Sequence, residues 1–312
     1  MTARMIMKLQ VAQARLTTPD VLHLRLVHPL RPNLPEWSAG AHVDLRLPDG
    51  RVRQYSLCGN PDDLSAYEIA VKRETNGRGG SIWAHDHLTE GATAHVSAPR
   101  NNLPLVDAKR IVIVAGGIGI TPFVSMVRTL MKQGRDFTLH YCARSASEAP
   151  LLDELKDICG PSLQCWFSQE GSRFDPAVIG PSDPDTHVYV CGPQRLLDAV
   201  QSALADWPED HVHTEVFQLT LDENFKAEPF EATIASTGQR LHVRADQSLL
   251  EVLRNAGFIV ASSCELGVCG SCECGYLDGI VIHRDKSLPV SKRQDRMLPC
   301  VSRARVAVTL DM

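Results

Sequence analysis

The stretch CELGVCGSCECG, residues 264–275, packs four cysteines into eleven positions, and Cys300 follows Cys272 after 27 intervening residues. Few features constrain a fold as tightly, because each use of clustered thiols demands its own geometry and redox setting. The N-terminus, MTARMIMKLQVAQARL, has neither a sustained apolar core nor a small-residue cleavage site, so no signal peptide is expected. The longest apolar run, Ile111 to Ile120, contains three glycines and falls short of a membrane span. The expected setting is therefore cytoplasmic and reducing. There, clustered cysteines bind metal or do redox chemistry rather than form structural disulfides.

Four residues separate Cys264 from Cys269, and two separate Cys269 from Cys272. With Cys300 the pattern is C-x4-C-x2-C…C, the spacing of a plant-type [2Fe–2S] ferredoxin. Two irons bridged by two sulfides need four thiolates. One tight loop supplies Cys264, Cys269 and Cys272, and a distant element supplies Cys300. Gly267 and Gly270 let the backbone curl so that its N–H groups point at the sulfurs. Cys274, two residues past Cys272, points away and reads as a non-ligand. A zinc ribbon would need a second C-x2-C pair, and only Cys300 lies downstream. The other five cysteines, Cys58, Cys142, Cys159, Cys165 and Cys191, mostly sit in apolar strand or helix surroundings and read as small buried hydrophobes.

At 312 residues the chain suits two or three domains, and its 44% hydrophobic and 22% charged residues are those of a folded protein. A net charge of −5 gives no ground for general affinity for nucleic acid or membrane, and no nucleic-acid-binding signature is present. Over residues 1–104 short alternating segments, VLHLRLVHP, AHVDLRL, RQYSL and YEIAVKRE, are separated by turn residues, which predicts an antiparallel barrel. Over residues 105–221 apolar strands such as RIVIVAGG and THVYVCGP alternate with helical stretches such as TPFVSMVRTLMKQG. That rhythm predicts a doubly wound parallel sheet. The polar TLDENFKAEP, residues 220–229, reads as a linker, and residues 229–312 form a third unit with a hairpin, the helix SLLEVLRNAG, the cysteine loop and a closing strand.

Two turns in the middle unit carry glycines where a strand meets a helix. In VAGGIGITP, Gly117 and Gly119 begin like a dinucleotide fingerprint, but Pro122 stands where a third glycine would be. Such a turn either receives a pyrophosphate at the helix N-terminus or is an ordinary tight connection. VYVCGP, ending in Cys191, Gly192 and Pro193, opens onto the same edge of a parallel sheet and suits a flat nicotinamide ring. In the first unit, Arg53 with the N–H groups of Gly79 and Gly80 and the Ser81 hydroxyl would make a compact phosphate site. Tyr55 can lie against a ring system and Ser56 can bond a ring nitrogen. The alternative for RQYSL is a plain barrel strand with an exposed arginine.

Taken in order, RQYSL, GRGGS, GGIGITP, CGP and the C-terminal cysteine pattern resemble the phthalate dioxygenase reductase family, single-chain reductases of Rieske-type oxygenases and O-demethylases within the ferredoxin–NADP reductase superfamily. The resemblance covers nearly the whole chain. It implies a flavin-binding barrel at residues 1–104, an NAD-binding α/β domain at 105–221 and a β-grasp-like plant-type ferredoxin domain at 229–312, with FMN, a [2Fe–2S] cluster and NADH as cofactors. It further implies that Arg53, Gln54, Tyr55 and Ser56 hold the flavin, that Val71, Lys72 and Glu74 line its edge, and that Gly79, Gly80 and Ser81 take its phosphate. Thr121 and Phe217 lie near the isoalloxazine. Gly116, Gly117, Ile118 and Gly119 receive the nicotinamide nucleotide with Cys191, Gly192 and Pro193, and Arg144 reaches its adenosine half. FSQEG, residues 167–171, departs from the acidic-rich turn usual there, which leaves NADH against NADPH open.

The implied reaction takes a hydride from NADH to the flavin and sends single electrons to the cluster and then to a Rieske-type oxygenase component. Ser56 tunes the flavin, Thr121 lies beside it and Cys191 positions the nicotinamide without a covalent intermediate. Ser271, Glu273 and the LGV tip around the cluster loop are the expected docking points, and the chain is expected to be a monomer. The alternatives are an FAD-containing reductase for a P450 or diiron monooxygenase and an iron–sulfur sensor without turnover.

Overall fold

A sheet whose residues alternate apolar and polar hides its apolar face most completely by curling on itself. In a computed structural model that describes residues 5–75, 77, 79–217 and 225–312, the N-terminal strands do this. Arg78 of GRGGS, residues 218–221 of the expected NAD domain and the first half of the expected linker, residues 220–224, lie outside the described residues. Strands β1 (Ile6–Thr18), β2 (Val21–Val27), β3 (Ala41–Arg46), β4 (Val52–Ser56), β5 (Ala66–Lys72), β6 (Thr93–Ser97) and β7 (Arg100–Asn101) form an antiparallel sheet. Its order is β4-β3-β6-β1-β2-β5, with β7 on β3. A bridge between Leu57 and Ile69, with the Cys58 N–H donating to the Glu68 carbonyl at 2.9 Å, joins β4 to β5 and closes the barrel. Leu9, Leu24, Leu26, Val43, Leu45, Ile69 and Val96 fill its interior, and helix α1 (Gly80–His87) adds Ala84.

The second sheet is wholly parallel. Strands β8 (Arg110–Gly116), β9 (Asp136–Ala143), β10 (Leu163–Phe167), β11 (Thr186–Cys191) and β12 (Val212–Glu215) run in the order β10-β9-β8-β11-β12. The connections are α2 (Thr121–Gln133), α3 (Leu152–Cys159) and α4 (Gln194–Ala203). Alternate residues of β8 face opposite ways. Ile111 and Ile113 pack with Phe123, Val127 and Leu155 from α2 and α3, while Val112 and Val114 pack with Leu197 and Val200 from α4. Helices therefore cover both faces, as expected of a doubly wound fold.

Barrel and parallel sheet belong to one compact unit, residues 1–217. Val21, Ala39, Cys58 and Ala70 of the barrel side share a core with Phe123, Val124 and Met126 of α2. Gly40 marks the tightest approach: its φ is +87°, its N–H donates to Ser125 Oγ at 3.2 Å, and a Cβ there would stand 2.0 Å from the Leu103 carbonyl oxygen. Tyr189 pins the connecting segment, its hydroxyl donating to the Pro104 carbonyl at 2.8 Å and accepting from the Val106 N–H at 2.8 Å.

Residues 218–312 form a separate unit. Strands β13 (Phe230–Ile234), β14 (Arg240–Val243), β15 (Cys274–Ile282), β16 (Arg296–Met297) and β17 (Arg303–Leu310) give a mixed sheet ordered β14-β13-β17-β15-β16, in which only β13 and β17 are parallel. Helix α5 (Leu249–Asn255) begins with a Ser248–Glu251 capping box and buries Leu249 and Leu253 against Phe230, Val243 and Leu310. The three architectures match the fold class read from the sequence. No helix among the described residues is long and apolar enough to cross a membrane.

Gly40→Ala combines a left-handed backbone with a clash against a carbonyl, and we expect it to destabilise the first unit by about 3 kcal/mol. Thermal melting should show a fall of roughly 6–12 °C, whereas Gly50→Ala, whose Cβ would meet nothing within 4 Å, should lower it far less.

Candidate metal centre and nucleotide site

The cysteine loop runs from the end of α5 into β15. Its backbone takes positive φ at Gly267 (+73°) and Gly270 (+67°), and also at Glu265 (+55°), where a side chain makes that conformation costly. Glu265 is held there by Arg254 of α5, whose Nη1 donates to Glu265 Oε1 at 2.7 Å and whose Nη2 donates to Ser262 Oγ. The Glu265 side chain is 5% exposed, so the ion pair is largely out of water.

Cys264, Cys272 and Cys300 are buried and Cys269 is half-buried. Sγ of Cys272 lies 3.2 Å from Sγ of Cys300, and the Cys264 and Cys269 thiols are hydrogen-bonded to each other. Within each pair one thiol is pushed up and the other held down by the shared proton: Cys269 is lowered to about 5 by its bond with Cys264, and Cys272 is lowered by its bond with Cys300. Backbone N–H groups of Leu266 and Val268 serve Cys264, that of Ser271 serves Cys269 and that of Gly267 serves Cys300. The Leu266 contact is 3.3 Å. Four soft donors in two pairs, ringed by N–H groups that favour negative sulfur, fit a [2Fe–2S] cluster. Cys274 instead joins the core beside Phe230 and Met297, and burial pushes its thiol up to about 12.

In the first unit the loops after β8 and β11 meet where the strand order reverses. Gly116, Gly117, Ile118, Pro193, Arg144 and Lys72, all expected nucleotide or flavin residues, line one cleft of about 330 Å³. Thr121 is buried at the start of α2, its Oγ1 donating to the Ile118 carbonyl at 3.1 Å. Gly119 and Gly192 lie beneath the cleft rather than on its wall: a Cβ on Gly119 would stand 2.4 Å from the Cys191 carbonyl oxygen, and one on Gly192 3.0 Å from Gly116. Cys191 is fully buried, and desolvation, with Glu215 adding to it, pushes its thiol well up, so it stays a neutral thiol.

Glu215 is the residue the sequence reading passed over. It ends β12 directly beside Cys191, and its Oε2 is buried without a hydrogen-bond partner among the described residues. Desolvation raises its carboxyl from 4.5 to about 8, so it is protonated at neutral pH. Of residues 215–217 only Phe217 is expected at the site from the sequence, and it packs against the core shared by barrel and parallel sheet. Asp20, Trp166, Ser168, Ser172, Arg173 and Arg195 also line the cleft and were not foreseen there.

The barrel residues form a second group. Arg53, Gln54, Tyr55 and Ser56 follow one another on β4, where Gln54 Nε2 contacts His42 Nε2 at 2.8 Å and burial raises the Tyr55 hydroxyl to about 12. Val71 points into the barrel core, and Lys72 pairs with Glu74 at 3.3 Å. The Glu74 N–H donates to Ser81 Oγ at 3.0 Å, which ties that loop to α1. Gly79, at φ +77°, and Gly80 open α1. A Cβ on Gly80 would strike Arg53 Nε at 2.8 Å, and one on Gly79 would lie 3.9 Å from both terminal nitrogens of Arg51. Two guanidinium groups thus flank a helix N-terminus stripped of side chains, a cradle that fits a phosphate.

Residues 232–305 match the model of the 2Fe-2S iron-sulfur cluster binding domain, and residues 113–165 match that of the oxidoreductase NAD-binding domain. Over 313 residues the chain is 39% identical to phthalate dioxygenase reductase of Burkholderia cepacia, covering 98% of this chain and 97% of that one. It is 40% identical over 301 residues, 96% of each chain, to the heme-dependent oxidative N-demethylase beta subunit of Ectopseudomonas mendocina (strain ymp). A solved structure of phthalate dioxygenase reductase, described as modular for electron transfer from pyridine nucleotides to [2Fe–2S], matches with a TM-score of 0.85 and 38% identity over 98% of both chains. The chain belongs to the phthalate dioxygenase reductase family.

This reductase is an NAD(P)H-dependent flavin and iron–sulfur oxidoreductase. Two outcomes follow from its site geometry. Arg254→Ala removes the guanidinium that pairs with the buried Glu265 carboxylate at a strained position. We expect a loss of about 3 kcal/mol in denaturant unfolding of the second unit, with faster bleaching of the cluster under chelator. Glu215 makes native stability fall as pH rises, because between 4.5 and about 8 the folded carboxyl keeps a proton that the unfolded chain releases. Glu215→Gln should remove that slope and stand about 2–4 kcal/mol higher relative to the parent at pH 9 than at pH 5, read from urea unfolding across that range.

Proposed function

We propose that this reductase is the electron-supplying component of a Rieske-type aromatic oxygenase or O-demethylase system, carrying electrons from NADH through FMN and a [2Fe–2S] cluster to a separate oxygenase. The observation that carries the reading is the pairing, in one chain, of a dinucleotide cleft at the switch point of a parallel sheet with four thiols held in two bonded pairs, across a full-length match to oxygenase reductases. FMN, when bound, supplies the exchange between a two-electron donor and the one-electron cluster.

The chain's own residues divide the work. Arg53, Gly79, Gly80 and Ser81 hold the flavin phosphate, and Tyr55 and Ser56 lie along its ring system. Lys72, Glu74, Thr121 and Phe217 bound the ring from either side. Gly116 to Gly119 with Cys191, Gly192 and Pro193 seat the nicotinamide half, and Cys191, kept a neutral thiol, orients the ring without bonding to it. Cys264, Cys269, Cys272 and Cys300 ligate the irons. The domains divide at 1–104, 105–221 and 229–312. The chain works as a cytoplasmic monomer that docks transiently through the cluster loop, near Ser271 and Glu273, since electron-transfer interfaces are small. Plant-type clusters lie near about −400 mV and Rieske centres higher, so onward transfer runs downhill.

Cys264→Ser tests this order of transfer. NADH should still bleach the bound flavin, while cytochrome c reduction falls to background; normal cytochrome c turnover would refute it. The mass of the extracted flavin separates FMN from FAD. The similarity to a heme-dependent N-demethylase subunit favours a second reading, a haem-containing acceptor. Coupled turnover with a purified Rieske oxygenase against a haem oxygenase decides between them.

A further inference from the structure

Three guanidinium groups line the cleft that the glycine turns help to form. Arg144, Arg173 and Arg195 line it, together with the half-buried Ser168 and Ser172. Arg173 and Arg195 are exposed, and neither pairs with a carboxylate among the described residues. Arg144 meets Glu148 through Nε at 3.4 Å, which leaves the two Nη groups of its guanidinium fork available.

In dinucleotide-binding sheets, the end of the strand after the phosphate turn reads the adenosine ribose. An aspartate or glutamate there bonds a 2′-hydroxyl, and a nearby arginine accommodates a 2′-phosphate. In this chain that position, immediately after β9, is Arg144. The loop after the neighbouring strand β10 offers two carboxylates, Glu170 and Asp175, and neither lines the cleft: Glu170 Oε1 accepts the Ala146 N–H at 3.1 Å, and Asp175 Oδ1 accepts the Ala177 N–H at 3.0 Å. Trp166 and Phe174, in edge contact at 5.7 Å, supply an apolar wall for an adenine beside the cations.

Resting on the reading of this cleft as the dinucleotide site, we infer that its outer end accepts a 2′-phosphate, so that NADPH serves as a donor alongside NADH, with Arg144 and Arg173 as the specificity-determining residues. A phosphate dianion at that end gains charge-assisted bonds to planar forks, and the carboxylates that line the cleft among the described residues are Glu148 and the barrel's Asp20.

The test uses the purified holoenzyme with cytochrome c as acceptor. The kcat/KM for NADPH is expected within about tenfold of that for NADH, and Arg173→Gln should lower the NADPH-to-NADH ratio by about tenfold or more, with Arg144→Gln acting in the same direction. Arg173→Lys should recover part of the ratio, and Ser168→Asp should depress it by adding a repelling carboxylate. 2′,5′-ADP should compete against NADH more tightly than 5′-ADP does. An NADPH kcat/KM below about one-hundredth of the NADH value, or a ratio unmoved by Arg173→Gln, overturns the inference while leaving the dinucleotide reading intact. Oxidation of neither nucleotide sinks both.

Discussion

Backbone meets backbone where the loops after β8 and β11 cross, and the nucleotide end of the first unit is built on that contact. The Cys191 carbonyl sits where a side chain on Gly119 would be, and Gly192 lies against Gly116 in the same way. Strands β8 and β11 are neighbours in register from Thr186–Arg110 to Cys191–Ala115, so the two turns leave the sheet side by side at its carboxyl edge. Close approach there does two things at once. It opens a cleft above the turns, and it seals Cys191 and the Glu215 carboxyl beneath them, away from water. Any side chain at Gly119 separates the loops and so alters both.

The cluster loop solves a related problem with charge. Its tight curl needs left-handed backbone at three points, and glycine serves at two of them. Gly267 leaves no room for more, since a Cβ would stand 2.6 Å from Val301 Cγ2. At Glu265 the strain is met by an interaction instead, the buried pair with Arg254 that anchors the loop to the end of α5. The result is a ring of N–H groups aimed at sulfur, an environment that favours anions. The first unit keeps the Cys191 thiol and the Glu215 carboxyl neutral, whereas the second is arranged to hold negative charge.

Much of this was legible in the sequence, for reasons that differ by element. RIVIVAGG and THVYVC became β8 and β11 because a strand buried on both faces reads as an unbroken apolar run. The four thiols came from spacing alone. What escaped needed partners distant in sequence. β1 was weighed only against a signal peptide, which it does not resemble, and not as a strand, although Met7, Leu9 and Val11 alternate inward; its pairing with β2 and β6 reveals it. α1 was missed because GSIWAHDH has no clear apolar face. Val71 was expected at a ligand edge, but its side chain belongs to the barrel core. Glu215 looked like any surface glutamate until β12 paired with β11 and buried it, and no local pattern announces the Arg254 clamp.

Charge is distributed along the cleft in a way that suits a redox donor. Arg144, Arg173 and Arg195 line the cleft, and on the proposed reading they meet phosphates and ribose that stay unchanged through the reaction, so attraction there would strengthen binding without distinguishing one oxidation state from the other. The inner end differs. A nicotinamide ring passes from neutral to cationic when it loses a hydride, and an ionised carboxylate beside it would hold the oxidised product. Glu215, raised to about 8, remains an acid at neutral pH and can offer a hydrogen bond but not a counter-charge. Burying Glu215 Oε2 without a hydrogen-bond partner among the described residues lowers stability, and the same burial keeps a carboxylate charge away from the ring on the proposed reading.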